Sequence, residues 1–275
     1  MPELPEVEHV VRALRSTILG QRIVAAELRL KRTAPKLSRA NFNRRLSGAR
    51  INTIGRRGKH ILINLDTNET LVVHLRMTGK FVYLDSEQSL LPYSHVVFYL
   101  ENECRLVYCD MRQFGRMNII PASRLPKSKE LQSLAPEPLS EEFSIEYLAQ
   151  TFARSRREVK LILLDQTKVL GLGNIYAAEA LFLAGISPFA LAQSLSRKRL
   201  RRLHAAIRQI LVEAIESGST LQVNLGDGNS SYFGTAERFW RVYEREGEPC
   251  LKCGARIRRV VQAGRSTYYC PRCQR

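Results

Sequence analysis

At 275 residues the chain can form one large domain or two modest ones with a real core, and 44% hydrophobic residues is the content of a globular protein. Its 43 Lys and Arg against 26 Asp and Glu leave a net charge of +17, the balance of a folded protein whose partner is a polyanion, nucleic acid above all. No apolar run reaches the ~18 residues of a membrane span, and no charged-then-apolar leader precedes an Ala-x-Ala site, so a soluble, cytoplasmic protein is expected. In that reducing setting the six cysteines suggest metal before disulfides.

The chain opens MPELPEVEHVVRAL. From Pro5 the apolar positions Val7, Val10, Val11, Leu14 and Ile18 follow helical spacing, Pro5 suits the first helical position, and Gly20 suits the stop. Pro2 then stands just outside a helix N-terminus, whose positive dipole end disfavours an ammonium ion. With Met1 removed, Pro2 carries a free secondary amine. An α-amino group titrates near ~8 against ~10.4 for lysine, so a usable fraction is neutral at neutral pH. Attack of such an amine on a sugar C1′ gives a cationic iminium, which acidifies C2′ and makes elimination of the 3′ phosphate possible. Glu3 is placed to protonate the ring oxygen or leaving group, and Glu6 to assist. The same Pro-Glu-x-Pro-Glu run can simply start a helix, and the fragment alone leaves both readings open.

Residues 22–120 read as strands: IVAAELRL, HILINL, TLVVHL, HVVFYL and RLVYC. With no helix separating them, an antiparallel sandwich is expected rather than a parallel sheet. The proline-rich, polar PASRLPKSKELQSLAPEPLSEEF reads as a linker. Helical segments follow at 141–153, 156–168, 175–184 and 196–216. Asn174, after Gly171 and Gly173, could cap the third of these, leaving free amides that could bind a phosphate. Arg154, Arg156, Arg157 and Lys160 add positive charge upstream. A Gly/Ser/Asn-rich loop, SGSTLQVNLGDGNSSYFG, leads to the last cysteines.

Cys250-x2-Cys253 and Cys270-x2-Cys273 are separated by 16 residues. Two such turns complete a tetrahedral thiolate site, so one structural zinc is expected, with no open coordination position for catalysis. The alternative, two redox pairs, wants a thioredoxin-like helical context that is absent. The intervening ARIRRVVQAGRSTYY reads as two short strands around Ala263-Gly264, bearing Arg256, Arg258, Arg259 and Arg265: a nucleic-acid finger. Cys104 and Cys109 have no such spacing, and packing is the expectation for both.

Taken in order, MPELPEVE, RRGKHIL (56–62), HLRMTGK (74–80), DMRQFGRM (110–117), GLGNIYAAEALFLAGISP (171–188) and GRSTYYCPRCQ (264–274), with the four cysteines, resemble the bacterial formamidopyrimidine-DNA glycosylase family over essentially the whole chain. The related endonuclease VIII proteins usually begin Pro-Glu-Gly-Pro, unlike Pro-Glu-Leu-Pro here. The resemblance implies an α+β protein: an N-terminal antiparallel β-sandwich with an active-site helix (1–122), a linker (123–140), a helical helix–two-turn–helix domain with a lesion-recognition loop at about 217–237 (141–238), and a zinc-bound β-hairpin finger (239–275). Damaged double-stranded DNA would lie in the cleft between the domains. No nucleotide cofactor is implied, and a monomer is the simple expectation.

The resemblance also assigns residues. Pro2 would be the nucleophile, Glu3 the proton donor for base loss, and Lys59 a phosphate-side cation and proton donor in β-elimination. Arg265 would clamp phosphates near the lesion and is credited in the family with δ-elimination, although a guanidinium is a poor acid at neutral pH. The target base must be flipped out of the duplex. Met77, Arg112 and Phe114 resemble the set that fills the hole: an apolar plug, a donor for the orphaned cytosine and a wedge. Arg156, Lys160 and Asn174 would face DNA, as would His95, which stands in Tyr93-Ser94-His95 where many members have His-x-His. The 217–237 loop has Asn229-Ser230-Ser231 where Pro-Gly often precedes Tyr-Phe. Three functions compete: excision of oxidised purines with strand nicking, the same machinery tuned to oxidised pyrimidines, and a non-catalytic zinc-containing DNA-binding protein. The joint presence of Pro2, Glu3, Lys59 and the Met77/Arg112/Phe114 set argues against the third, and the first is the expected function.

Overall fold

The computed structural model describes residues 2–217, Leu225 and 240–275. The described residues divide into two compact units, one running through Gln132 and including Leu225, the other taking Ser133–Ser217 and the segment from Trp240 onward.

The first unit opens with α1 (Leu4–Ile18), and its two sheets are antiparallel throughout. One sheet has the order β1 (Ile23–Leu28), β6 (Ser94–Leu100), β7 (Arg105–Asp110), β5 (Gly79–Leu84). The other runs β2 (Ile51–Arg57), β3 (His60–Leu65), β4 (Glu69–His74), β8 (Arg116–Pro121). Ala26, Phe98 and Phe81 from the first sheet meet Ile54, Ile63, Val73 and Ile119 from the second in one core. The 3.6-residue period turns Val7, Val10, Val11, Leu14 and Ile18 of α1 into that core, all at most 1% exposed. Each such burial is worth roughly 1.5–3 kcal/mol, so the opening helix is part of the core and not an appendage. Gly20, at φ +81°, supplies the left-handed residue just beyond the helix end.

The expected run of strands without a helix is corrected: α2 (Arg39–Leu46) follows β1. It is short and mostly polar, burying only Phe42 and Leu46, so its period was hidden. Ser38 caps it through Asn41 N–H at 3.1 Å. Its Asn43 Oδ1 accepts from Ala26 N–H at 2.8 Å and Arg39 donates to the Arg29 carbonyl, so α2 covers the outer edge of β1.

The second unit contains α3 (Ile145–Ala153), α4 (Val159–Leu163), α5 (Asn174–Ala184), α6 (Arg197–Ser217) and the hairpin β9 (Arg258–Gln262)/β10 (Arg265–Tyr269). The helix expected over 156–168 is only α4. Thr167 N–H bonds back to Asp165 Oδ1 at 3.1 Å, a local turn that competes with helix continuation. Ala263 (φ +46°) and Gly264 (φ +75°) form the turn of the finger hairpin, both left-handed as a tight two-residue connection requires. The mixed α+β class expected from the sequence is the observed one.

Candidate active site and nucleic-acid interface

Pro2 and Glu3 stand at the head of α1, both buried, with Glu3 as the N-cap. Glu6 is 2% exposed and its Oε2 accepts from Glu3 N–H at 2.9 Å, so the expected helper is used to fix the backbone of the expected acid. Two contacts lay α1 along β2: Arg56 Nε donates to Glu8 Oε2 at 2.9 Å, and Arg15 Nε donates to the Ile54 carbonyl. Burial alone would raise Glu8, but the hydrogen bonds and charges of Arg56 and Arg12 together outweigh it and hold the carboxyl below its ordinary value. Stepping from Ile54 to Arg56 moves from Arg15 back to Glu8, toward the helix start. The β2–β3 turn, Gly58-Lys59, therefore lies at the Pro2–Glu3 end. Lys59 is 5% exposed, which excludes a merely solvated turn lysine.

The register of the second sheet carries the site across to the loops. Arg57 pairs with His60, His60 with His74, and His74 with Arg116, one row along a single end of the sheet. From this end project the 58–59 turn, the 75–78 loop and the 111–115 loop. Met77 is 37% exposed, Phe114 40% and Met111 60%, although all three are large and apolar. Arg112 lies over the Phe114 ring, its guanidinium carbon 5.0 Å from the centroid. Met77 and Phe114 are therefore not core residues, as large apolar side chains ordinarily are: both are held out from the sandwich on adjacent loops.

Two residues of this end carried no signal of their own. His60 and His74 meet edge to face with centroids 4.7 Å apart. His74 Nδ1 accepts from Arg76 N–H at 3.1 Å, so the neutral ring carries its proton on Nε2. Burial, then Arg76, lowers His60 from 6.5 to about 4, and burial, then His60, lowers His74 to about 2. The unfolded chain thus binds more protons below about 6.5, and stability should fall as pH drops from 6.5 to 4, and further toward 2. Urea midpoints at pH 7 and pH 5 check this: His60→Phe should lose less on acidification than the parent, and an equal loss would contradict the assignment.

Three expectations need correction, two of them DNA contacts. His95 is 7% exposed and its Nε2 bonds the Asp110 carbonyl at 2.8 Å, so it props the 111–115 loop from beneath. Lys160 is 1% exposed; its Nζ donates to the Ser266 carbonyl at 2.9 Å and to Thr267 Oγ1 at 2.7 Å. A cation so enclosed holds the finger hairpin and is not a surface contact. Asn174 does not cap α5: Gly173 is the N-cap, and Asn174 Nδ2 donates to the same Ser266 carbonyl at 2.9 Å. Lys160 and Asn174 therefore fix the residue beside Arg265, which is exposed, as is Arg156. Glu179, fully buried in α5, was also missed. Its carboxylate accepts N–H from Arg241, Val242 and Tyr243 at 2.9, 2.9 and 3.0 Å, seating the chain that enters the finger. The expected 217–237 recognition loop falls outside the described residues except for Ser217 and Leu225.

The four finger sulfurs lie within 4.8 Å of one another, with Cys250–Cys273 at 3.9 Å and Cys253–Cys270 at 3.5 Å. A tetrahedron of thiolates 2.3 Å from a central ion has edges of about 3.8 Å, so the cluster fits one metal ion. Lys252 and Cys273 N–H point at Cys250 and Cys270 Sγ at 3.4 Å, the donors thiolates need. Cys104 and Cys109 stand apart from the cluster.

Along the chain, the Formamidopyrimidine-DNA glycosylase N-terminal domain matches residues 1–117, the Formamidopyrimidine-DNA glycosylase H2TH domain residues 134–224, and the zinc finger found in FPG and IleRS residues 247–275. The chain belongs to the formamidopyrimidine-DNA glycosylase family. It is a DNA-repair glycosylase with a DNA-binding zinc-finger region. The formamidopyrimidine-DNA glycosylase of Pelotomaculum thermopropionicum is 43% identical, covering 100% of this chain and 99% of its own. That of Caulobacter vibrioides is 43% identical with 100% of both chains covered. Among solved structures, the Lactococcus lactis Fpg bound to DNA containing an abasic site superposes with a TM-score of 0.91 at 33% identity, covering 99% of each chain. The L. lactis complex with DNA containing FAPY-dG gives 0.90 at 33%, covering 99% of this chain and 100% of that one. The family's N-terminal match spans the Pro2, Lys59, Met77 and Arg112–Phe114 region, and its zinc-finger match spans all four cysteines and Arg265.

Proposed function

We propose that this glycosylase is bifunctional, excising oxidised purines such as 8-oxoguanine and formamidopyrimidines from duplex DNA and then cleaving the strand at the abasic sugar. The observation that carries the reading is the buried Pro2–Glu3 pair at the head of α1, with Lys59 at the same end of the strand to which α1 is strapped.

With Met1 removed, the Pro2 nitrogen attacks C1′ of the flipped nucleotide while Glu3 delivers a proton and the base departs with the glycosidic electron pair. The nitrogen gives up its proton, the ring opens as C1′–O4′ breaks and O4′ leaves as a protonated hydroxyl, and the secondary amine is left as a cationic iminium, whose pull acidifies C2′. Loss of a C2′ proton expels the 3′ phosphate by β-elimination, and a second elimination releases the 5′ phosphate. Lys59 supplies a cation or proton on the phosphate side. Arg265 on the finger clamps the backbone, Met77 plugs the vacated stack, Arg112 donates to the orphaned base, and Phe114 wedges the neighbouring pair. Zn2+ bound by Cys250, Cys253, Cys270 and Cys273 is structural, since four thiolates leave no open position. The protein acts as a monomer in the cytoplasm and needs no nucleotide cofactor.

Borohydride trapping on duplex DNA with a single 8-oxoguanine opposite cytosine, followed by mass spectrometry, tests the reading. A covalent adduct on the Pro2 nitrogen is expected. Trapping only with an oxidised pyrimidine would transfer the machinery to that substrate, and tight DNA binding with no adduct on either would end the lyase proposal.

A further inference from the structure

We infer that Thr78 and Asp110 form a latch that makes the Met77 loop and the Arg112–Phe114 loop move as one body, and so act as positioning residues for filling the hole left by the flipped base. The inference rests on the proposed roles of Met77, Arg112 and Phe114.

The two loops are neighbours by topology. The 75–78 loop leaves β4 in one sheet and enters β5 in the other; the 111–115 loop leaves β7 in the second of these and enters β8 in the first. Because β4 pairs with β8 and β5 with β7, both crossings occur side by side, bounded by the His74/Arg116 and Gly79/Asp110 pairs. Nothing in that register alone fixes the loop tips. The fixing is done by a buried carboxylate. Asp110 is 1% exposed; its Oδ1 accepts from the Thr78 hydroxyl and its Oδ2 from Gly115 N–H at 2.7 Å. The same Thr78 oxygen accepts from Arg112 N–H at 3.0 Å, so one hydroxyl joins the loop carrying Met77 to the backbone of Arg112. The Asp110 carbonyl receives the His95 ring at 2.8 Å and Gln113 N–H at 3.1 Å, closing the turn from below.

Two further features show that the arrangement is imposed. Arg76 and Gln113, one in each loop, both hold φ +58°, a left-handed conformation that L side chains avoid unless surroundings enforce it. A Cβ on Gly79 or Gly115 would come within 2.1 or 1.6 Å of the same Tyr108 hydroxyl, so both loops close down on one buried ring. A buried carboxylate held by neutral donors is a costly device for a loop that only connects strands. It is a suitable one where three exposed side chains, Met77, Arg112 and Phe114, must keep fixed spacing against a base stack.

Thr78→Val keeps the shape and removes both hydroxyl bonds. Excision of 8-oxoguanine opposite cytosine should fall about tenfold, the loss expected for one to two buried hydrogen bonds. The preference for cytosine over adenine as the opposite base should shrink with it, and Thr78→Ser should restore both. Combined with Arg112→Ala, Thr78→Val should cost less than it does alone, since one of the three side chains it positions is gone. Unchanged excision and unchanged preference in Thr78→Val would overturn the latch. So would an equal loss against both opposite bases that simply adds to the Arg112→Ala loss, the mark of general destabilisation. Met77→Ala, Arg112→Ala and Phe114→Ala run alongside separate the two layers: if these impair excision and Thr78→Val does not, only the latch fails. If none of them matters, the hole-filling reading fails and takes the latch with it.

Discussion

Glu3→Gln should slow base release by about 10²–10⁴-fold, the range a positioned general acid contributes, while cleavage of a duplex that already contains an abasic site stays within about tenfold of the parent. The split follows from where the proton is needed. Departure of the base requires a donor at the sugar or the leaving group, and an amide cannot supply one. An abasic sugar has no base to lose, so Pro2 can still form its iminium and eliminate phosphate. The substitution is nearly isosteric, and its amide oxygen can still accept a hydrogen bond at the helix start. Glu6 still receives the residue 3 N–H, because that bond uses backbone. Single-turnover assays on 8-oxoguanine and on abasic duplexes measure both quantities. Equal losses on the two substrates would point to a damaged helix start, and normal base release would remove Glu3 from the chemistry.

Cys250→Ser should abolish stoichiometric zinc and weaken duplex binding by more than about a hundredfold at moderate salt. The finger has little else to stand on. Its apolar cluster comprises Ala178, Phe182, Val242, Cys250, Ile257 and Cys270, and two of those six are the sulfur ligands themselves. A core of this size does not hold a hairpin without a staple. Once the hairpin loosens, the Ser266 carbonyl is no longer presented to Lys160 and Asn174, and Arg265 loses its fixed origin. Lys160 would then be a buried ammonium without its partners on the hairpin, which adds a penalty beyond the lost metal. Metal content and duplex affinity, measured across a salt series, test this together. Full zinc with full affinity would mean that three thiolates suffice.

Local features of the site were legible and its cross-chain supports were not. Periodicity placed α1 and put Pro2 at its head, Ala263-Gly264 marked the hairpin turn, and cysteine spacing gave the sulfur cluster, because each depends on residues close in sequence. Asn174 shows the limit. Its position after two glycines suggested a cap, yet its amide serves a carbonyl 92 residues away, a partner no local pattern can name. Lys160 failed for the same reason, its acceptors lying 106 and 107 residues on. Asp110 sat inside a motif that was noticed for Arg112 and Phe114, and only the pairing of β5 with β7 reveals that it ties two loops. The strands β2, β5 and β8 were passed over: Gly55, Arg56 and Arg57 interrupt β2, β5 opens on Gly79 and β8 on Arg116, and pairing with neighbours overrides such weak local preference.

The covered sheet edges carry a consequence for how copies of this protein coexist. The outer strand of each sheet is a row of unspent hydrogen-bonding groups, a template for a second chain. Here Asn43 and Arg39 of α2 occupy groups along β1, Arg15 of α1 takes the Ile54 carbonyl of β2, and the Leu225 carbonyl receives Tyr83 N–H of β5 at 2.6 Å. A strongly cationic protein gathers at high local density along any polyanion it meets. Groups already occupied on β1, β2 and β5 leave those edges less able to pair with a second copy at such density.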